Sequence, residues 1–141
     1  MYRPFRWLVL ILVILIILYA VLPTMMIINP EFLRGEIIHS QPELSNNAVE
    51  FAIVAVSIFA AGIHAIFIGL YIWLFIMMWK RRNWARITLT ILVILAAAGS
   101  LASWTAGPAF YSIIIITNVV HAILIGFLWI PRIVNNYFWQ N

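Results

Sequence analysis

The chain contains no cysteine and no aspartate, and four glutamates are its only acids. Without cysteine there is no disulfide framework, no thiol redox chemistry and no thiolate metal site, and the redox compartment stays undefined. Charged residues make up only 9% of the 141 residues, against about a quarter in soluble domains. H-E-x-x-H, G-x-S-x-G and phosphate-binding glycine loops are all missing. What is present in excess is apolar: 66% hydrophobic residues and a mean hydropathy of +1.10. These values imply a membrane protein with no expected enzymatic centre.

Four apolar runs reach the roughly 18 to 25 residues needed to cross the hydrocarbon core. They predict spans at about 7–28, 51–79, 84–106 and 109–130, with a connecting segment at 29–48, in one membrane domain over residues 1–141. The first run is too long for the apolar part of a secretory signal, and no small-x-small cleavage site follows it, so it reads as a retained helix. The fold class expected is all-α, a polytopic membrane protein with four transmembrane helices in a bundle. No Asp, Glu, Lys or Arg lies centrally in any run, which removes carboxylate coupling of protons or sodium and a charged gating helix.

Loop charges set the orientation. Arg3 and Arg6 precede the first span, Lys80, Arg81, Arg82 and Arg86 surround the turn between the second and third, and Arg132 follows the fourth. The 29–48 segment and its edge carry Glu31, Glu36, Glu43 and Glu50 against the single basic Arg34. The positive-inside rule then predicts both termini in the cytoplasm of a cell with an inner membrane, and the acidic segment outside. Trp7, Trp79, Trp84, Trp129 and Trp139 fall at the inner interface, with Trp104, Phe110 and Tyr111 near the outer one. The net charge of +4 is accounted for by orientation, so nucleic acid is not an expected partner.

Within the outer segment, Asn29-Pro30-Glu31 has the form of a helix start, and Phe32, Leu33, Ile37 and Ile38 suit a short surface helix; Gly35 opposes it by about 1 kcal/mol. Asn47 with Glu50 three residues on predicts a capping box opening the second span. His39 with Glu36 and Glu43 is too irregular to define a metal site.

Two of the three histidines lie in matching surroundings deep inside spans, GIHAIFIGL at 62–70 and VVHAILIGF at 119–127. Under the offset 121 − 64 = 57, His64, Ala65, Ile66, Ile68 and Gly69 match His121, Ala122, Ile123, Ile125 and Gly126. A second offset, 84 − 7 = 77, aligns Trp7 with Trp84 and several aliphatic residues after each. Together they suggest a duplicated helical hairpin. Both histidines lie roughly 20 Å from the outer ends of their spans.

The second span carries Ser57, His64 and Tyr71 on one face and the small residues Ala52, Ala55, Gly62, Ala65 and Gly69 on another. The third has Ala96, Gly99, Ser103 and Ala106, and the fourth has Gly126 and places Thr117 and Asn118 one turn before His121. Gly62, Ala65, Gly69, Gly99, Ser103 and Gly126 are expected to mediate helix packing. The first span, almost uniformly aliphatic, is expected to face lipid.

Three functional expectations follow. The leading one is an accessory or interaction protein, self-associating or part of a larger membrane complex, in which His64 bonds Tyr71 or a carbonyl and His121 bonds Asn118 or a serine of the third span. The second is an electron-transfer module in which His64 and His121 hold a b-type haem or a quinone, their rings steadied by Ser57, Thr117 or Asn118. The third is a small oligomeric channel or transporter lined by Ser57, His64 and Tyr71. Lys80, Arg81, Arg82 and Arg86 are read as membrane-surface positive charge. The segment K-R-R-N-W-A-R-I and the aliphatic run after it, residues 80–95, resemble the hairpin of small bacterial four-helix inner-membrane proteins of unassigned function. That resemblance implies a bacterial cytoplasmic membrane and no particular activity.

Overall fold

The computed structural model describes residues 3–102, 104 and 108–130. Ser103, Ala106, Arg132 and Trp139, each given a role from the sequence, lie outside the described residues. Among those described, the structure is entirely helical: α1 (Arg3–Ile28), α2 (Pro30–Ser40), α3 (Asn46–Trp79), α4 (Asn83–Ala102), a 3-10 turn at Pro108–Phe110, and α5 (Tyr111–Trp129). Within α1, α3, α4 and α5, the segments Arg6–Ile28, Asn46–Trp79, Asn83–Leu101 and Tyr111–Trp129 are each long and apolar enough to cross a membrane. The chain is a multi-pass membrane protein.

Helix boundaries follow local chemistry. Pro30 starts α2 as the first-turn residue that needs no N–H partner, although the Asn29 side chain makes no capping bond. The expected Asn47 and Glu50 capping box does not form. Ser45 caps α3 instead, accepting from Ala48 N at 3.4 Å, while Glu50 turns outward to Arg34. Arg34 also meets Glu31 at 3.4 Å, so the single cation of this segment ties α2 to the first turn of α3. Beneath it Leu33 packs with Val49 and Ile53.

The α3–α4 turn is closed by backbone. Arg81 N donates to Met78 O at 2.9 Å and Arg82 N to Met77 O at 3.1 Å, the paired bonds of a Schellman motif. That motif needs a left-handed residue, and here it is Arg81 with φ 58. Lys80, Arg81 and Arg82 are exposed at this turn. Arg86 is not a surface residue: it is 3% exposed, with its guanidinium 3.9 Å above the Trp129 ring.

The expectation that the first helix faces lipid is overturned. α1 packs against both α3 and α5 and buries Leu8, Ile11, Leu12, Leu15, Tyr19 and Met26. A uniformly aliphatic helix carries no contrast between a lipid-facing and a helix-facing side, because lipid tails and leucine side chains are equally apolar. The densest core joins α1 to Tyr71, Leu74 and Met78 of α3, Leu89 and Val93 of α4, and Leu124 and Leu128 of α5. It fills the half of the molecule next to the basic turn. Toward α2, a smaller buried cluster of Met26, Phe110 and Ile114 joins α1 to the start of α5, and a cavity occupies the space between the helices.

Candidate functional site

Tyr19 stands about halfway along α1, and both mid-membrane histidines come to it. Its ring centroid is 5.3 Å from that of His64 on α3 and 5.9 Å from that of His121 on α5. Tyr71, two turns beyond His64, meets it edge-on at 5.4 Å, and Phe67 lies 5.7 Å away. His64 and Tyr71 of the predicted stripe thus face α1, and Ser57 is buried. Sequence reasoning missed Tyr19, although a signal was present: a tyrosine at mid-span is displaced from the interfacial belts where tyrosine normally sits.

Hydrogen bonds give the cluster a direction. The Tyr71 hydroxyl donates to Tyr19 Oη at 3.3 Å, and the Tyr19 hydroxyl lies 3.3 Å from His121 Nε2. If Tyr71 donates to Tyr19, the Tyr19 proton goes to Nε2, and neutral His121 keeps its own proton on Nδ1. That atom is buried with no partner among the described residues. Three protons are held by a chain with two hydrogen bonds, so one end always carries an unused donor, an arrangement costing about 1–3 kcal/mol.

His64 is bonded differently. Its Nδ1 lies 2.7 Å from the carbonyl oxygen of Ala60, one turn earlier on α3. A carbonyl only accepts, so Nδ1 carries the hydrogen and Nε2 presents a lone pair. The His64 bond to a carbonyl is thus the one made, not a bond to Tyr71. Asn118 donates to Ser100 Oγ at 2.6 Å and to Ile114 O at 3.0 Å, tying α5 to α4. Among the described residues, neither Asn118, Thr117 nor Ser57 hydrogen-bonds to a histidine.

His64, Tyr19, Ser100 and Thr117 share the wall of a cavity of about 470 Å³ bounded by α1, α3, α4 and α5. Its other lining residues are apolar, including Leu22, Met26, Ile113 and Phe110. Phe59 of α3 and Leu95 of α4 line it while remaining 68% and 62% exposed, so the mouth lies between these two helices. His121 does not line it. The two imidazoles therefore abut one tyrosine, and only His64 of the pair lines this cavity. Ser57 and Tyr71, 8% and 0% exposed, are buried, and neither is among the described residues that line this cavity.

Among the described residues, the glycines expected to pack helices have no neighbouring helix where a side chain would stand. A Cβ on Gly62, Gly69 or Gly99 would meet nothing within 4 Å, and one on Gly126 would meet only Ile130 of its own segment, at 3.6 Å. Gly62, Ala65 and Gly69 form an open strip on α3. Among the described residues no three His, Asp or Glu side chains gather where they could hold a metal.

Fold and site together define a class: among the described residues, an all-helical, multi-pass membrane protein with an apolar cavity lined by a few polar groups, of which Tyr19 and His64 lie about halfway along their helices. No protein-family model, no curated protein and no solved structure matches the chain.

Proposed function

We propose that this protein is a four-helix bundle of the bacterial inner membrane, with both termini in the cytoplasm, that binds a small apolar molecule between its helices. The cavity carries this reading. Binding sites for small molecules are typically concave, of about 300–1,000 Å³, mostly apolar, with a few placed polar groups. This one is 470 Å³, and its polar groups come from all four long helices: Tyr19, His64, Ser100 and Thr117. Its mouth between Phe59 and Leu95 gives lateral access from the hydrocarbon. The orientation rests on the basic residues at the α3–α4 turn and the glutamates around α2.

Burial adds support to the duplicated-hairpin reading. With the offset 57, buried Ile114 and Leu128 correspond to buried Ser57 and Tyr71; with the offset 77, buried Ala85, Leu89 and Ala96 correspond to buried Leu8, Leu12 and Tyr19. On that reading the two histidines have diverged, one serving the cavity and one the tyrosine pair.

The test is a ligand census. The protein purified in mild detergent should carry a defined apolar molecule recoverable by organic extraction and mass spectrometry. Ala60→Phe, which fills the cavity, should reduce its yield at least tenfold while helicity is kept. Equal recovery from both proteins would remove the cavity as the site.

A second reading, an accessory subunit that associates through α3, is favoured by the open strip of Gly62, Ala65 and Gly69. Small residues let two transmembrane backbones approach closely.

A further inference from the structure

We infer that the cavity takes a neutral, hydroxyl-headed apolar molecule, bound with its hydroxyl inward at mid-membrane depth and donating to the protein. This rests on the reading of the cavity as a binding site, and three observations fix the chemistry.

The first is that the cavity wall offers acceptors. With Nδ1 committed to the Ala60 carbonyl, the remaining nitrogen of His64 is a lone pair, and it makes no hydrogen bond among the described residues. Tyr19 also lines the cavity, and its backbone carbonyl is an acceptor without its helical donor. That donor would be the N–H of residue 23, and that residue is proline, so the usual bond is missing at a buried turn of α1. The potential donors are mostly engaged: the Tyr19 hydroxyl belongs to the Tyr71 and His121 chain, and Ser100 donates to Ala97 O at 2.8 Å. Thr117 is left, and it can play either role.

The second is charge. Among the described residues no Lys, Arg, Asp or Glu lines the cavity, and an ion placed there would lose its hydration without a counter-charge. Carboxylates and phosphates are excluded on this ground.

The third is depth. Tyr19 and His64 lie about halfway along their helices, while the α2 end of the cavity is lined by Met26 and Phe110. A phospholipid keeps its head at the water interface and cannot present it here. A molecule dissolved in the hydrocarbon with a small neutral head can. Two sources fit, a membrane hydroquinone and an isoprenoid alcohol. The rings of Tyr19 and Phe67 beside His64 suit the flat ring of the first.

The experiment uses the full chain in neutral phosphatidylcholine nanodiscs under anaerobic conditions. Four probes are titrated: a decyl-substituted benzohydroquinone, its benzoquinone, farnesol and decanoate. The hydroquinone should bind at least tenfold more tightly than the quinone, whose carbonyl would face the His64 lone pair. His64→Phe should weaken hydroquinone binding about tenfold without weakening that of the quinone, whose carbonyl no longer opposes a lone pair. His64→Gln, which keeps an acceptor, should recover part of the loss. Pro23→Ala, which supplies an N–H to the Tyr19 carbonyl, should also lower hydroquinone affinity while unfolding no more readily than the native chain. Farnesol binding with the same dependence on His64 extends the ligand class to isoprenoid alcohols, and its failure narrows the class to ringed heads; both outcomes support a donating hydroxyl.

Equal affinity for quinone and hydroquinone, indifference to both His64→Phe and Pro23→Ala, or tighter binding of decanoate would overturn the hydroxyl assignment. If such binding is still lost in Ala60→Phe, the cavity reading survives that outcome. Absence of binding by every probe, in a protein shown folded by its helicity, overturns the hydroxyl assignment, and the ligand census then decides the cavity reading independently.

Discussion

Tyr19 is the residue on which three of the four long helices meet. Its hydroxyl serves Tyr71 of α3 and His121 of α5 together, so Tyr19→Phe leaves two buried polar groups without their partner. The expected destabilisation is about 1–2 kcal/mol, within the range measured for hydrogen bonds inside membranes. Tyr71→Phe removes one end of the chain and should cost less than about 1 kcal/mol. Mixed-detergent unfolding followed by far-UV circular dichroism reads both, and equal losses would count against Tyr19 as the centre. The histidines and Tyr71 were legible as candidates because polar side chains are rare in such runs. Their common partner was not, because only the packing of α1 brings a residue 45 positions before His64 and 102 before His121 to the same point.

The connection between α3 and α4 shows an element held by backbone geometry against a local cost. Arg81 supplies the left-handed conformation that glycine adopts freely, and for an L-residue this costs roughly 1–2 kcal/mol. Arg81→Gly should therefore stabilise the hairpin by about 1 kcal/mol, and Arg81→Val should destabilise it. The same unfolding assay, with the two variants compared against the native chain, decides the sign; a loss in Arg81→Gly would mean that the side chain holds the turn. The orientation proposed above gives arginine a reason to stand there, since Lys80, Arg81, Arg82 and Arg86 are gathered at this turn. Span existence was legible from hydropathy alone. Helix starts were less so: Asn47 and Glu50 had the spacing of a capping box, but the salt bridge of Glu50 to Arg34 and the cap from Ser45 prevailed.

At the scale of the molecule, the side of α3 carrying Gly62, Ala65 and Gly69 is exposed and has no partner among the described residues. If a second copy docks there, Gly62→Leu combined with Gly69→Leu should abolish self-association without harming the fold, since a Cβ at either position meets nothing within 4 Å and both glycines are exposed. Light scattering in mild detergent and cross-linking in membranes measure the change. A native chain that is monomeric in both would remove this interface. The cavity and the strip lie on different parts of α3, so ligand binding and association are separable experimentally: Ala60→Phe should affect only the first.

The sequence by itself determined the solvent, the number of long apolar helices and the placing of charge at their ends, because water and hydrocarbon differ by several kcal/mol in what they tolerate. It also singled out the two matched histidines. Only the tertiary structure decided which helix is central, which histidine faces the cavity and which the tyrosines, and which small residues stay open. Inside a membrane the lipid and the neighbouring helix are equally apolar, so the pattern of hydrophobic residues carries no record of which side packs, and shape and a few hydrogen bonds choose.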